Sequence, residues 1–99
     1  MLNLTPAQRR FLRAQAHALN PVVLIGDAGL TEAVMKEIER SLDSHELIKI
    51  KIAGGGHEQR EKMLTEICST LEAAPVQHIG KTLVIYKAAK KPKLVLPKA

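Results

Sequence analysis

Two glycines placed three positions apart, in the run Gly26-Asp27-Ala28-Gly29, are the residues best suited to contact a ligand. They separate the aliphatic run Val22–Ile25 from a helical pattern that begins after Gly29. Glycines in such a place either form a tight turn or let a backbone approach a ligand that side chains would block. The N-terminus of a helix that follows such a loop attracts anions such as phosphate. The residues alone leave both interpretations open.

Positive charge is concentrated at the two ends of the sequence. The chain of 99 residues has 15 Lys and Arg against 10 Asp and Glu, a formal net charge of +5. All ten acids lie between Asp27 and Glu72, whereas residues 1–20 and 80–99 carry only basic charge. Segregated positive charge is typical of proteins that bind a polyanion, and nucleic acid is the first candidate. The alternative is a soluble surface with a solvated tail.

The aromatic content limits how a nucleic acid could be bound. Phe11 and Tyr86 are the only aromatic residues, and Phe11 belongs to the apolar side of the first helix. RNA-recognition motifs and OB-folds stack bases on several aromatic side chains, so this mode is excluded. A GXXG loop of the kind that clamps the nucleic-acid backbone in KH domains needs no aromatic residue. The sequence therefore favours binding through phosphates, shape and the glycine loop.

No pattern indicates an enzyme, a cofactor or a metal. Gly80-Lys81-Thr82 is not a P-loop, because position 75 is Pro and a strand pattern follows. The histidines show no metal-ligand spacing, and Cys68 is predicted to be packed in the core. We expect a cytoplasmic protein without a membrane segment, since the sequence shows one cysteine, no signal peptide pattern and no apolar run near the required length of about 20 residues.

Hydrophobic periodicity predicts three helices and four strands. Thr5 and Thr31 are the predicted N-caps of the first two helices, and Lys49 and Lys51 point away from the core side of an alternating strand. The predicted elements are helices at about 6–19, 32–44 and 58–73 and strands at 22–25, 46–53, 76–79 and 82–87. This order predicts a compact α-β-α-β-α-β-β sandwich of the α/β class with a mixed sheet. We expect one domain at 1–90 and a basic C-terminal tail at 91–99.

Three stretches resemble a known family over nearly the whole chain. They are LTPAQRRFLRAQAHALNPVVLIGDAGLTEAV, HELIKIKI and IGKTLVIYK, in this order and spacing. They resemble the CRM domain (chloroplast RNA splicing and ribosome maturation), above all the single-domain bacterial YhbY-type proteins. The resemblance implies a fold similar to the C-terminal domain of bacterial translation initiation factor three, with a GXXG loop like that of KH domains. Bacterial members are associated with the precursor of the large ribosomal subunit, and plant relatives with group II intron splicing.

The resemblance identifies the candidate RNA-binding loop as Gly26, Asp27, Ala28 and Gly29, with backbone N–H groups near Gly29–Thr31 meeting a phosphate. Asp27 would repel phosphate, so we expect most of the affinity to come from basic residues. The candidates are Arg9, Arg10, Arg13, Lys49, Lys51 and Lys81, with a further contribution from the tail lysines.

The expected function is therefore RNA binding, with ribosomal RNA of the large-subunit precursor as partner and ribosome assembly as the role, by a monomer without a cofactor. The alternative is a protein-interaction module that docks acidic partners through its basic faces. In that case the two glycines are only a turn.

Overall fold

Three helices and four strands make up the structure, a computed structural model that describes residues 3–97. Residues 1, 2, 98 and 99, which the predicted domain and tail include, lie outside the described part. The order of elements and the mixed sheet confirm the predicted fold class. None of the helices within residues 3–97 has the length and apolarity needed to cross a bilayer. The elements are α1 (Pro6–Ala16), β1 (Pro21–Ile25), α2 (Glu32–His45), β2 (Leu47–Ile52), α3 (His57–Leu71), β3 (Ala74–Ile79) and β4 (Thr82–Tyr86).

The four strands form one sheet in the order β1-β2-β4-β3. β1 runs parallel to β2, whereas β4 runs antiparallel to β2 and β3. The carboxyl ends of β1, β2 and β3 therefore meet the amino end of β4 at one end of the sheet. We call this the glycine end; it is defined by Gly26–Gly29, Gly54–Gly56 and the turn Gly80-Lys81. The opposite end is the tail end, defined by Glu46 and residues 86–94.

Both edge strands begin irregularly. Pro21 opens β1 and Pro75 is the second residue of β3, and the pairing register shifts between Pro21 and Val23 and between Pro75 and Gln77. Proline has no N–H to donate to a neighbouring strand, so it is confined to edge strands, strand starts and bulges. The predicted end of the third helix near Ala73, at Pro75, is wrong: the helix ends at Leu71 with Glu72 as its left-handed C-cap, and Pro75 belongs to the strand that follows.

Helices α2 and α3 cover one face of the sheet and form the larger core. Ile48, Ile50 and Ile52 of β2 were predicted to face this core, and all three are buried in it. Cys68 of α3 is fully buried in the same core, as predicted. Burial raises the pKa of the Cys68 thiol to about 12, so the thiol stays protonated and unreactive near neutral pH.

Helix α1 covers only part of the other face. Its N-cap is Thr5, whose side chain accepts a hydrogen bond from the Gln8 N–H, as the sequence predicted. The helix ends at Ala16 and not near Leu19, because the chain leaves the helical path before Pro21. Leu12 and Ala16 pack against side chains of β2, β3 and β4, whereas Leu19 is exposed. The short helix leaves the glycine end of this face open.

A buried carboxylate organises the tail end. Glu46 follows α2 with a positive φ of 63°, and only 2% of it is exposed. Its carboxylate accepts hydrogen bonds from the backbone N–H groups of Ala89 (3.5 Å), Lys93 (2.5 Å) and Leu94 (3.4 Å). Leu94 and Leu96 pack against the cluster under α1. The described part of the basic tail is therefore held against the body of the protein.

Candidate nucleic-acid interface

The two glycines of the first glycine loop, Gly26–Gly29, have different structural roles. Gly29 has a φ of +74°, a conformation that side chains rarely adopt, and its N–H donates to the Gly26 carbonyl at 3.0 Å. Gly26 lacks a positive φ, and a Cβ added there would meet no atom within 4 Å. Gly29 is therefore required by the turn. Gly26 is required neither by the turn nor by packing, and its backbone is open to the approach of another molecule.

Thr31 links this loop to α2 and changes which N–H groups are available. Its hydroxyl oxygen accepts from the Val34 N–H at 3.2 Å, which confirms the predicted N-cap. The Thr31 N–H itself donates to the Gly29 carbonyl at 3.0 Å. The expectation that N–H groups of Gly29 and Thr31 meet a phosphate is thus wrong for these two, because both are used inside the loop. The first-turn N–H groups of Glu32 and Ala33 have no acceptor within the helix.

A second glycine loop, Gly54–Gly56, lies beside the first. A Cβ added at Gly54 would lie 3.9 Å from an Asp27 side-chain oxygen. The two loops share a cleft of about 230 Å³ that Ile52 and Met63 help to line. Gly56 is the N-cap of α3, and no side chain caps this helix. Gly54–Gly56 lie between the predicted second strand and third helix; three glycines directly before a helix were the signal that a second loop of this kind was present.

Four of the predicted basic residues follow one another along the sheet from α1 to the glycine end. Arg13 and Lys49 line a depression of about 470 Å³ together with His17, which the sequence analysis did not select. Lys51 lies on the same face of β2, two residues closer to the glycine end. Lys81 adjoins the end of β2, because its carbonyl accepts from the Ile52 N–H at 2.8 Å. We call Arg13, Lys49, Lys51 and Lys81 the basic line.

Arg9 and Arg10 and the tail lysines lie apart from the glycine end. Arg9 and Arg10 share the side of α1 that carries Arg13, but they do not line its depression. Lysines 87, 90, 91 and 93 surround a concavity at the tail end, together with Asp43 and Glu46. The structure therefore places these four lysines at the end of the sheet opposite the glycine loops, whereas Lys98 lies outside the described residues.

A cluster of His57, Glu61 and His78 positions the positively charged side chain of Arg60 near the second glycine loop. The rings of His57 and His78 stack with their centroids 4.4 Å apart, and His78 Nδ1 lies 2.5 Å from Glu61 Oε1. Arg60 Nε donates to His78 Nε2 at 3.2 Å, and the Arg60 guanidinium also donates to the Gly55 carbonyl at 2.8 Å. His78 therefore carries its proton on Nδ1 and donates it to Glu61.

Arg60 is the functional candidate that the sequence analysis missed. His57, Glu61 and His78 place one ligand atom each within 4.8 Å of one another, a donor set that suits divalent metals. However, both ring nitrogens of His78 already have partners, Glu61 at Nδ1 and Arg60 at Nε2, so a metal would have to displace one of these contacts. We interpret the cluster as the support that fixes Arg60 on the second glycine loop. The contact joins residues 18 positions apart in the sequence, which no local pattern encodes.

The sequence of the chain matches the model of one known protein family. The model of the CRS1 / YhbY (CRM) domain matches residues 4–87. The chain belongs to this family. The CRM domain thus accounts for all seven elements of the structure and for both glycine loops, and the match ends just after β4.

Relatives of this CRM domain carry RNA binding in their names. A Haemophilus influenzae protein named RNA-binding protein is 45% identical over 99% of both chains. A Bacillus subtilis protein, named probable RNA-binding protein YqeI, is 34% identical over 93% of this chain and 96% of its own length. The solution structure of a Staphylococcus aureus protein, described as a candidate RNA-binding protein, has a TM-score of 0.85 and 31% identity, and covers 96% of this chain and 100% of its own.

Proposed function

We propose that this CRM domain binds RNA at its glycine end and acts, without catalysis or a cofactor, on ribosomal RNA in the precursor of the large ribosomal subunit. The names of its relatives support RNA as the partner. The observation that carries the proposal is the basic line, which leads from α1 to a loop whose backbone is open at Gly26. We propose the ribosomal precursor as target on the resemblance to bacterial family members. We further propose that the chain acts in the cytoplasm as a monomer.

The positive side chains supply most of the affinity in this mechanism. Asp27 and Glu32 are exposed at the glycine end and repel phosphate locally. A phosphate that approaches Gly26 therefore needs the basic line to outweigh these two carboxylates. If about four phosphates of a single strand are neutralised, the slope of log K against log salt is about −3, and binding weakens roughly fifty-fold between 50 and 200 mM salt.

A binding titration tests RNA as the partner. The purified chain is titrated into a fluorescently labelled RNA at several salt concentrations, and the anisotropy is recorded. We expect a salt slope of about −3. Binding that is insensitive to salt, or the lack of any binding at 50 mM salt, would contradict the electrostatic mechanism. A variant with Lys87, Lys90 and Lys91 changed to Gln removes three positive charges at the tail end. It serves as the matched control for variants that remove three positive charges from the basic line.

Sedimentation tests the ribosomal part of the proposal. A tagged chain in a cell lysate is separated on sucrose gradients at low and high salt, and the fractions are probed for the protein and for ribosomal RNA. Co-migration with large-subunit precursors at low salt, lost at high salt, supports the assembly role. Protein that stays at the top of the gradient at low salt overturns that role and leaves RNA binding to be judged by the titration.

A further inference from the structure

Large aliphatic side chains lie exposed on the α1 face of the sheet at the glycine end. Leu24 is 59% exposed and Ile79 is 58% exposed, although both belong to regular strands. Val22, at the other end of β1, is 45% exposed on the same face. Their neighbours Val23, Ile25 and His78 point to the opposite face, where α2 and α3 lie. Helix α1 is too short to cover the two exposed side chains.

The sheet register places a lysine between Leu24 and Ile79. Leu24 pairs with Lys51, Lys51 with Thr82, and Thr82 with Ile79, so the four residues form one row across the sheet. Neighbouring strands lie about 4.8 Å apart, so the row is about 14 Å long. Lys49 and Gln77 belong to the next row, toward the depression that contains Arg13. Two aliphatic side chains therefore flank a lysine and a threonine in this row, and a second lysine lies in the next row.

The mixture of aliphatic side chains and lysines on this face of the sheet indicates what kind of molecule could bind there. Apolar groups favour an apolar partner, and the interleaved cations require that partner to carry negative charge at short intervals. An unpaired stretch of RNA has both properties, since its base faces are apolar and its phosphates recur at every nucleotide. A duplex hides its base faces inside the stack. Leucine and isoleucine side chains can contact base faces directly, as they do where they insert between partly unstacked base steps.

We propose that Leu24, Lys51, Thr82 and Ile79 form a platform for unpaired bases, with Arg13, Lys49 and Lys51 holding the adjoining phosphates. The inference rests on RNA binding at the glycine end and adds the class of RNA: the bound segment is single-stranded. The platform is continuous with the first glycine loop, because Leu24 is separated from Gly26 by one residue. The aliphatic residues thus do for this chain what aromatic residues do in other RNA-binding sheets.

The double variant Leu24→Thr with Ile79→Thr tests the platform. Threonine keeps the branching that suits a strand and removes most of the apolar surface. Anisotropy titrations use a 16-nucleotide single-stranded RNA and the perfectly paired duplex of the same sequence. We expect about a ten-fold loss of affinity for the single strand, an unchanged affinity for the duplex and an unchanged salt slope, because no charge is removed. Val95→Thr, at an 84% exposed site near the C-terminus, is the matched control.

Each other result is decisive. An unchanged affinity for the single strand, or an equal loss for both RNAs, overturns the platform while RNA binding stands. If the unaltered chain binds neither RNA at 50 mM salt, RNA binding itself fails, and the platform fails with it. If the double variant binds the single strand normally but no longer retains a protein that the unaltered chain captures from a lysate, the surface serves a protein partner. Melting curves of both variants establish that they are folded.

Discussion

The two ends of the sheet both carry lysines and a concavity, but they differ in whether backbone N–H groups are free to meet an anion. At the tail end the Glu46 carboxylate accepts from three backbone N–H groups, those of Ala89, Lys93 and Leu94. At the glycine end no carboxylate of the described residues lies in this position on the first-turn N–H groups of α2. The tail end is thus an anion site filled by the protein's own side chain. The number of lysines therefore does not locate a binding surface; the availability of backbone donors does.

The largest expected effect is the loss of RNA affinity when the basic line is neutralised. The triple variant Arg13→Gln, Lys49→Gln and Lys51→Gln removes about three phosphate contacts, so we expect about a 100-fold loss at 0.1 M salt and a salt slope that falls from about −3 to about −1. The tail variant Lys87→Gln, Lys90→Gln and Lys91→Gln should change affinity by less than about two-fold. Anisotropy titrations measure both. Equal losses in the two variants would show that the ends are equivalent.

The next effect is on stability at the tail end. Glu46→Ala leaves the partly buried Lys93 N–H without its acceptor at 2.5 Å, so we expect the free energy of unfolding to fall by about 2 kcal/mol. Urea denaturation measures this change, and Glu46→Gln, which keeps an acceptor oxygen, should lose less. RNA affinity of the folded variant should stay within about two-fold of the unaltered chain. A large loss of affinity with little loss of stability would place Glu46 in the RNA site and contradict the comparison.

Substitution of the two glycines of the first loop should have smaller effects, on stability at Gly29 and on RNA affinity at Gly26. Gly29→Ala forces alanine into a φ of +74° and should lower the free energy of unfolding by about 1 kcal/mol. Gly26→Ala meets no atom and should leave stability unchanged, while it lowers RNA affinity by blocking close approach. Thermal melts and titrations on both variants separate the roles. If Gly26→Ala binds RNA normally, no phosphate approaches the loop at that residue.

The smallest effect is a change in the titration of Tyr86 at the tail end. Burial, and then the negative charge of Glu46, raise the pKa of Tyr86 above its ordinary value of 10. Because the folded state holds this proton more tightly than the unfolded state, the associated stability is present below pH 10 and is lost as the pH rises further. Glu46→Gln removes one of the two causes and should lower the pKa of Tyr86.

Absorbance near 295 nm can follow this titration directly, because Tyr86 is the only tyrosine and the chain has no tryptophan. Circular dichroism over the same pH range shows whether the chain is still folded. An unchanged tyrosine titration in Glu46→Gln would mean that the carboxylate does not act on Tyr86 across the tail end.

Local sequence patterns predicted most of the fold and part of the candidate site. The alternation of Ile48, Ile50 and Ile52 with Lys49 and Lys51 identified β2, because a strand has a period of two wherever it forms. The caps Thr5 and Thr31 were predicted because a hydroxyl before a helix acts on atoms only a few residues away.

What the sequence could not supply depends on contacts between distant residues. In the sequence Glu46 looks like an ordinary surface acid. It is buried because Ala89 and Lys93, more than forty residues later in the chain, pack against it and donate to its carboxylate. Arg60 and His78 meet only because α3 packs on the far edge of the sheet. The open half of the α1 face depends on where α1 ends, and the apolar residues up to Leu19 suggested a longer helix.

The prolines and register shifts at the start of β1 and β3 bear on how the chain behaves in concentrated solution. An edge strand with a regular row of unpaired N–H and C=O groups can recruit a strand from another molecule. Here each edge strand has, at its first or second residue, a proline without an N–H to offer, and a break in the pairing pattern follows. Such edges discourage sheet-to-sheet association between copies. The chain can therefore expose Leu24 and Ile79 on its two edge strands without making those edges templates for aggregation.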